Sequence, residues 1–135
     1  MISFDSFIKL YTGIPCDFDN RYGTQCMDLA HFYCYLVLGI EDKSILSADY
    51  AKNVWLKFQP SWSKCFKKEA NAAYNFPKRG DIVIWRGTYG HIAICTDANS
   101  MTFHSFDANF PVGSYPHVQL HDYTNVLGWL KPLKV

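Results

Sequence analysis

Residues 80–96 read Gly-Asp-Ile-Val-Ile-Trp-Arg-Gly-Thr-Tyr-Gly-His-Ile-Ala-Ile-Cys-Thr. Two short apolar runs, 82–85 and 92–96, flank a turn that carries Gly87 and Gly90. Runs of this length bounded by turn residues read as buried strands. The same character continues downstream. Asp97-Ala98-Asn99-Ser100 reads as a turn, residues 101–107 alternate in strand fashion, and two more short strands fit near 117–121 and 126–131. Upstream the period changes. Ile2, Phe4, Phe7, Ile8 and Tyr11 lie near helical spacing behind Ser3 as N-cap, and Gly13-Ile14-Pro15 stops the run. Leu29, Phe32, Tyr33, Leu36, Val37 and Ile40 recur at i, i+3, i+4, i+7, i+8 and i+11, with Gly39 near the end. A further helix is expected around 47–58. The stretch 60–79, with Pro60, Pro77 and the basic cluster Lys64, Lys67 and Lys68, reads as irregular. Helices first and strands afterwards predict an α+β fold, with N-terminal helices packed on an antiparallel sheet.

The 135 residues form one domain, 1–135, of a size that buries roughly two thirds of its unfolded surface. Hydrophobic residues make up 49% and charged residues 19%, which excludes a disordered chain. The net charge of +1 argues against nucleic acid as partner, and no apolar run is long enough to span a bilayer. The start, Met1 to Leu10, lacks the basic and apolar regions of a signal peptide. Five cysteines (16, 26, 34, 65, 95) at irregular spacing, without an export signal, predict reduced thiols rather than a disulfide framework.

One of those thiols has a special position. Cys26 sits where a polar loop, residues 16–25, becomes the clearest helix. Unpaired N–H groups and the helix dipole favour an anion there, so a thiol tends toward the nucleophilic thiolate, and the same N–H groups serve an oxyanion. Position alone balances this against a small buried hydrophobe, the ordinary fate of the other four. A cysteine nucleophile needs a base and a group that orients the base. His91 follows Gly90 at the head of a strand. A three-residue loop at 98–100 would pair His91 with Asp107, with Cβ atoms about 5 Å apart on one face. A two-residue loop at 98–99 would pair it with Phe106 and require a bulge. Asn109 lies just beyond as a second candidate. His31, His104, His117 and His121 show no comparable partner pattern, and His104 has the wrong strand parity to face Asp107. His117 and His121 have a ligand-like spacing, but no Cys-x-x-Cys completes a zinc site.

Asp17, Asp19, Arg21, Gly23 and Asp28 occupy the first, third, fifth, seventh and twelfth positions of a loop around Cys26. Calcium loops present oxygen ligands at this spacing, with Arg21 supplying only its carbonyl. The sixth position is Tyr22 rather than Gly and the twelfth is not Glu, so this is no true EF-hand. A solvated acidic turn with Asp28 capping the helix fits the residues as well.

Gly23-Thr24-Gln25-Cys26-Met27-Asp28-Leu29, Pro77-Lys78-Arg79-Gly80-Asp81-Ile82-Val83-Ile84-Trp85 and Gly90-His91-Ile92-Ala93-Ile94 together resemble the CHAP family of cysteine, histidine-dependent amidohydrolases and peptidases. The resemblance runs to the closing Gly128-Trp129-Leu130-Lys131-Pro132. It implies a papain-like (NlpC/CHAP-type) fold and a single catalytic domain. It further implies cleavage of an amide bond in peptidoglycan, as endopeptidase or N-acetylmuramoyl-L-alanine amidase, as in phage lysins made in the host cytoplasm and acting on the wall after release. Cys26 then matches the nucleophile, His91 the general base, and Gln25 a residue that helps form the oxyanion hole. Asp107 and Asn109 match the positions where many members have Glu and Asn. Asp for Glu is the departure, and its shorter side chain leaves the orienting role between the two. Asp17, Asp19, Arg21, Gly23 and Asp28 match a calcium loop found in a subset of the family. Calcium is thus the implied cofactor, with no organic cofactor, and a monomer acting on bacterial peptidoglycan is the expected form. Rival readings are an NlpC-type peptidase, which usually has His as its third residue, a thiol-dependent transferase or deubiquitinase-like protease, and a catalytically silent, calcium-stabilised wall-binding module. A catalytic domain of this kind is expected to fill these 135 residues, so wall anchoring is not assigned to any of them.

Overall fold

Among the described residues three helices come first, and each begins where a polar side chain can serve its open N-terminus. The computed structural model describes residues 1–18 and 25–133. The Ser3 hydroxyl accepts the Ser6 N–H at 3.0 Å and starts α1 (Phe4–Tyr11). The α2 helix (Cys26–Leu36) begins at the cysteine. Asp28, in its first turn, reaches back to accept the Gln25 N–H at 2.9 Å and the Phe18 N–H at 3.1 Å. It ends a turn before Ile40, because the chain turns left-handed at Gly39 and the N–H groups of Leu38 and Ile40 fold back onto the carbonyls of Tyr33 and Cys34. The α3 helix covers only Ala51–Leu56, shorter than the expected 47–58. Asp49 accepts hydrogen bonds from the Tyr50 N–H and the Asn53 side chain, which sets the start at residue 51.

A 3₁₀ turn, Pro60–Lys64, leads into β1 (Phe66–Ala70), within the stretch expected to be irregular. Phe-Lys-Lys-Glu-Ala has three charged residues in a row and no apolar alternation; its extended form comes from backbone pairing with the last strand, a tertiary contact that leaves no local pattern. β2 (Ile82–Trp85), β3 (His91–Ala98), β4 (Thr102–Asp107), β5 (His117–Asp122) and β6 (Val126–Pro132) follow close to their expected places. The antiparallel sheet has the order β1-β6-β2-β3-β4-β5, so the fold is α+β and papain-like. Ile82, Ile84, Ile92, Ile94, Phe106 and Leu130 pack with Phe7, Leu29, Tyr33 and Val54 on the helical face. Val83, Trp85, Ala93, Cys95, Phe103 and Trp129 form a second cluster on the other face. Burial on both sides explains why β2 and β3 are continuously apolar instead of alternating. Gly128 permits a close approach: a Cβ there would stand 2.3 Å from the Glu69 carbonyl and 2.4 Å from the Trp55 ring. Among the described residues, no helix is long and apolar enough to cross a membrane.

The β3–β4 hairpin differs from both expected loops. Its turn falls at 99–101, where the Asn99 side chain accepts the N–H groups of Met101 and Thr102. Pairing runs Ala98↔Phe103 and Asp97↔His104, shifts at a bulge around Thr96, and resumes as Cys95↔Ser105 and Ile94↔Phe106. Continued one step, this sets Asp107 across from Ala93 rather than from His91. The offset is two residues, so Asp107 keeps the face of His91 and lies diagonal to it.

Candidate active site

A groove of about 940 Å³ opens at the N-terminus of α2 and the head of β3. Gln25, Cys26, His91, Asn109 and His121 line it, with Tyr50 and Tyr89 along one wall and Phe110 and Val112 along another. Cys26 is partly exposed at the first helical position, where backbone N–H groups have no partner within the helix. The other thiols sit in different surroundings. Burial pushes Cys16 and Cys95 up to about 12, with nearby Asp28 and Asp17, and Asp81 and Asp97, respectively, adding to it. Fully buried Cys34 is pushed up further by the same cause. These protonated thiols are packing residues, and none of the five cysteines forms a disulfide.

His91 is 8% exposed, and Gly90 delivers it. Gly90 has φ +76°, and a Cβ there would come within 2.5 Å of the Lys52 nitrogen and 2.7 Å of the Trp85 carbonyl. Only glycine lets the chain pass α3 at this distance and start β3 with the imidazole facing the groove. The ring packs 4.9 Å from Trp85 and 4.9 Å from Phe110, centroid to centroid. Its Nε2 stands 3.7 Å from Asp107 Oδ1, an ion-pair distance rather than a hydrogen bond. Cys26 lines the same groove and is near enough to raise the imidazole pKa. Burial alone drives the imidazole pKa down. Asp107 and Cys26 together outweigh it, and the result is pushed up to about 9.

Asp107 is completely buried. Burial raises a carboxyl pKa, but hydrogen bonds from His121 and Ser105 and the nearby His91 charge hold it below the ordinary value, so it stays ionised. Ser105 Oγ donates to Oδ1 at 2.6 Å and His121 Nε2 donates to Oδ2 at 2.6 Å. Asn109 is placed differently. Its side-chain oxygen accepts the Gly113 N–H at 2.7 Å and its own N–H bonds the Ser114 carbonyl, so it shapes the groove-lining loop that contains the cis Phe110–Pro111 bond. The structure thus brings Cys26, His91 and Asp107 together, sets Gln25 beside them as the N-cap of α2, and engages Asn109 in the loop.

Of the residues matched to a calcium loop, Asp19, Arg21 and Gly23 lie outside the described residues. Asp17 and Asp28 lie within them, and both carboxylate oxygens of Asp28 accept backbone N–H groups.

Three residues escaped the sequence reading. Ser105 and His121 hold Asp107, and the Trp85 ring packs against both His91 and His121, at 4.9 and 5.0 Å. The signal for His121 was present in the residue order of β5. Val118 and Leu120 are exposed at 45% and 61%, while His117, Gln119 and His121 take the half-buried positions. A strand that turns its polar residues inward has work for them other than packing.

The fold and this groove define an α+β protein of papain-like type that brings a helix-terminal cysteine to a carboxylate-backed histidine. The CHAP domain model matches residues 16–109, and the chain belongs to that family. It is 30% identical over 148 residues to endolysin PlyTW of Staphylococcus phage Twort (strain DSM 17442 / HER 48), a match covering 95% of this chain and 29% of that protein. Among solved structures it is similar to a wild type endolysin, LysIME-EF1, with TM-score 0.72 and 28% identity over 98% of this chain and 65% of that one. It also shares its fold with Ly7917, solved with the hydrolyzing product of MDP, at TM-score 0.58 and 17% identity over 80% of this chain and 53% of that one. The chain therefore spans less than a third of the length of PlyTW and about two thirds of LysIME-EF1.

Proposed function

We propose that this chain is a peptidoglycan hydrolase that cleaves an amide bond through a Cys26 thioester, in the manner of a phage lysin. The observation that carries the reading is the placement of Cys26 at a helix N-terminus, in an open groove, against a histidine that Asp107 keeps basic. Similarity to two endolysins supplies the substrate class.

Cys26 passes its proton to His91 and attacks the amide carbonyl carbon. The carbonyl π electrons move to oxygen, where the Cys26 N–H and the Gln25 side chain receive the negative charge. His91 then protonates the leaving amine as the C–N bond breaks, and a thioester remains. Water, deprotonated by His91, releases the acid and restores the thiol. The bond is that of an endopeptidase or an N-acetylmuramoyl-L-alanine amidase. Calcium belongs to the proposal as a structural ion held by Asp17, Asp19, Asp28 and the carbonyls of Arg21 and Gly23; it would tie the loop before α2 to the helix that carries the nucleophile.

The test is digestion of purified peptidoglycan followed by mass spectrometry of the new termini. Wild-type protein is expected to release fragments with one kind of new amine and acid end, and Cys26→Ala to release none while melting like wild type. Wall lysis by Cys26→Ala at the wild-type rate would overturn the reading, and wall binding without cleavage by the wild type would assign a silent binding module instead.

A further inference from the structure

The Asp107 carboxylate has a histidine on each side. One is His91, 3.7 Å away and part of the proposed catalytic pair; the other is His121, hydrogen-bonded at 2.6 Å. His121 reaches the carboxylate from β5, an edge strand whose inward row is polar throughout. In that row His117 meets the Tyr115 carbonyl, Gln119 donates to the Phe110 carbonyl, and His121 meets Asp107. The His121 ring is packed among Trp85, Phe103 and Phe110, with centroids 5.0, 5.3 and 5.8 Å away, so its direction is set by apolar contact on several sides. An ionised carboxylate only accepts, so the 2.6 Å contact requires the proton on His121 Nε2.

We infer that His121 is a positioning residue: by donating to Asp107 Oδ2, opposite Ser105 on Oδ1, it fixes the carboxylate so that Oδ1 faces His91 and holds that imidazole toward Cys26. The inference rests on the proposed cysteine–histidine chemistry and adds a fourth member to it. A carboxyl with a single anchor can rotate about its terminal bond; one with a donor on each oxygen cannot. The anchoring matters because the Asp107–His91 contact is itself too long to be a hydrogen bond and so sets no orientation of its own. The charged and titratable groups around His121 are Asp107 on β4, His91 on β3 and the neighbouring Asp122 on β5. With the carboxylate loosened, His91 becomes less basic and retains Cys26's proton less well.

The experiment compares His121→Ala and His121→Gln, which keeps an N–H donor, in two assays. Lysis of walls reports kcat and KM; alkylation of Cys26 by iodoacetamide as a function of pH needs no wall. His121→Ala is expected to lower kcat about 10- to 100-fold with KM within twofold. It should also move the onset of Cys26 alkylation upward by about one pH unit. His121→Gln should recover most of both. An alkylation profile in His121→Ala that overlays wild type overturns the inference, as does His121→Gln performing no better than Ala. Wild-type protein that alkylates as described but leaves walls intact overturns the proposed function and leaves this inference standing. Should His121→Ala fail to fold, ¹⁵N spectra of the wild-type histidines decide: Nε2 of His121 protonated between pH 5 and 9 is the expected result, and the Nδ1–H tautomer overturns it.

Discussion

At the level of single residues, the site turns on a charge held where charge is costly. Asp107 is fully buried, and its donors compensate the lost water. Asp107→Asn removes that charge but keeps the shape. It is expected to lower wall-lysis kcat by about 10²- to 10⁴-fold with little change in KM, measured on one defined peptidoglycan preparation. His91 carries the pH dependence. Its pKa is pushed up to about 9 from an ordinary 6.5, so the folded state binds this proton more tightly than the unfolded chain does. The stability it contributes is fully present below about pH 6.5 and is lost as pH rises through about 9. Wild-type melting temperature should therefore fall between pH 7 and 10, and His91→Asn should abolish that part of the fall. Activity should lose its alkaline limb over the same range, because a neutral imidazole has no proton for the leaving amine.

At the level of elements, the head of β3 and the start of α2 must meet at a fixed distance, and Gly90 sets it. Gly90→Ala would force a Cβ against the Lys52 nitrogen and the Trp85 carbonyl at a left-handed φ. We expect a loss of about 2–4 kcal/mol in urea unfolding, and a larger loss of activity than the stability change explains, because His91 moves with the strand. The exposed side of β5 makes the opposite case. Leu120→Gln and Val118→Thr should change stability by no more than about 0.5 kcal/mol, since both side chains face solvent. Trp129→Ala, by contrast, empties the centre of the second cluster and should cost about 3–5 kcal/mol in the same unfolding assay.

For the molecule as a whole, the expected helices and most strands lie where periodicity places them, since helical and strand patterns are local. β1, which periodicity does not mark, takes its limits from a partner far away in the chain, and α3 is shorter than expected because the Asp49 side chain sets its start. The site is divided in the same way. Cys26 and His91 are marked by local features, a helix start and a Gly90 turn. Strand pairing predicts Asp107 opposite His91; the bulge near Thr96 displaces that register by two residues, and an even displacement preserves the face. His121 could not be found by searching for a partner near it in sequence, because its partner is on another strand. The proposed calcium ion is a whole-molecule property as well, since it would join the loop to α2. Chelation with EDTA should lower the melting temperature and added calcium should restore it, by the equivalent of about 2.7 kcal/mol when the ion is at a hundred times its Kd. A melting curve unmoved by either removes the ion from the proposal.

Composition, periodicity and the order of three short motifs were enough to establish the α+β class, the helix that presents Cys26 and the strand that begins with His91. These depend on the spacing of apolar residues and on turn-forming glycines, which act over one turn or one hairpin. Tertiary structure alone decided what stands behind the histidine. The bulge in β3 places Asp107 diagonal to His91, the edge strand β5 brings His121 to the same carboxylate, and the 109–114 loop engages Asn109. Those choices follow from strand register and from which buried groups can satisfy one another, and register is a property of two strands together, beyond what either carries in its own residues.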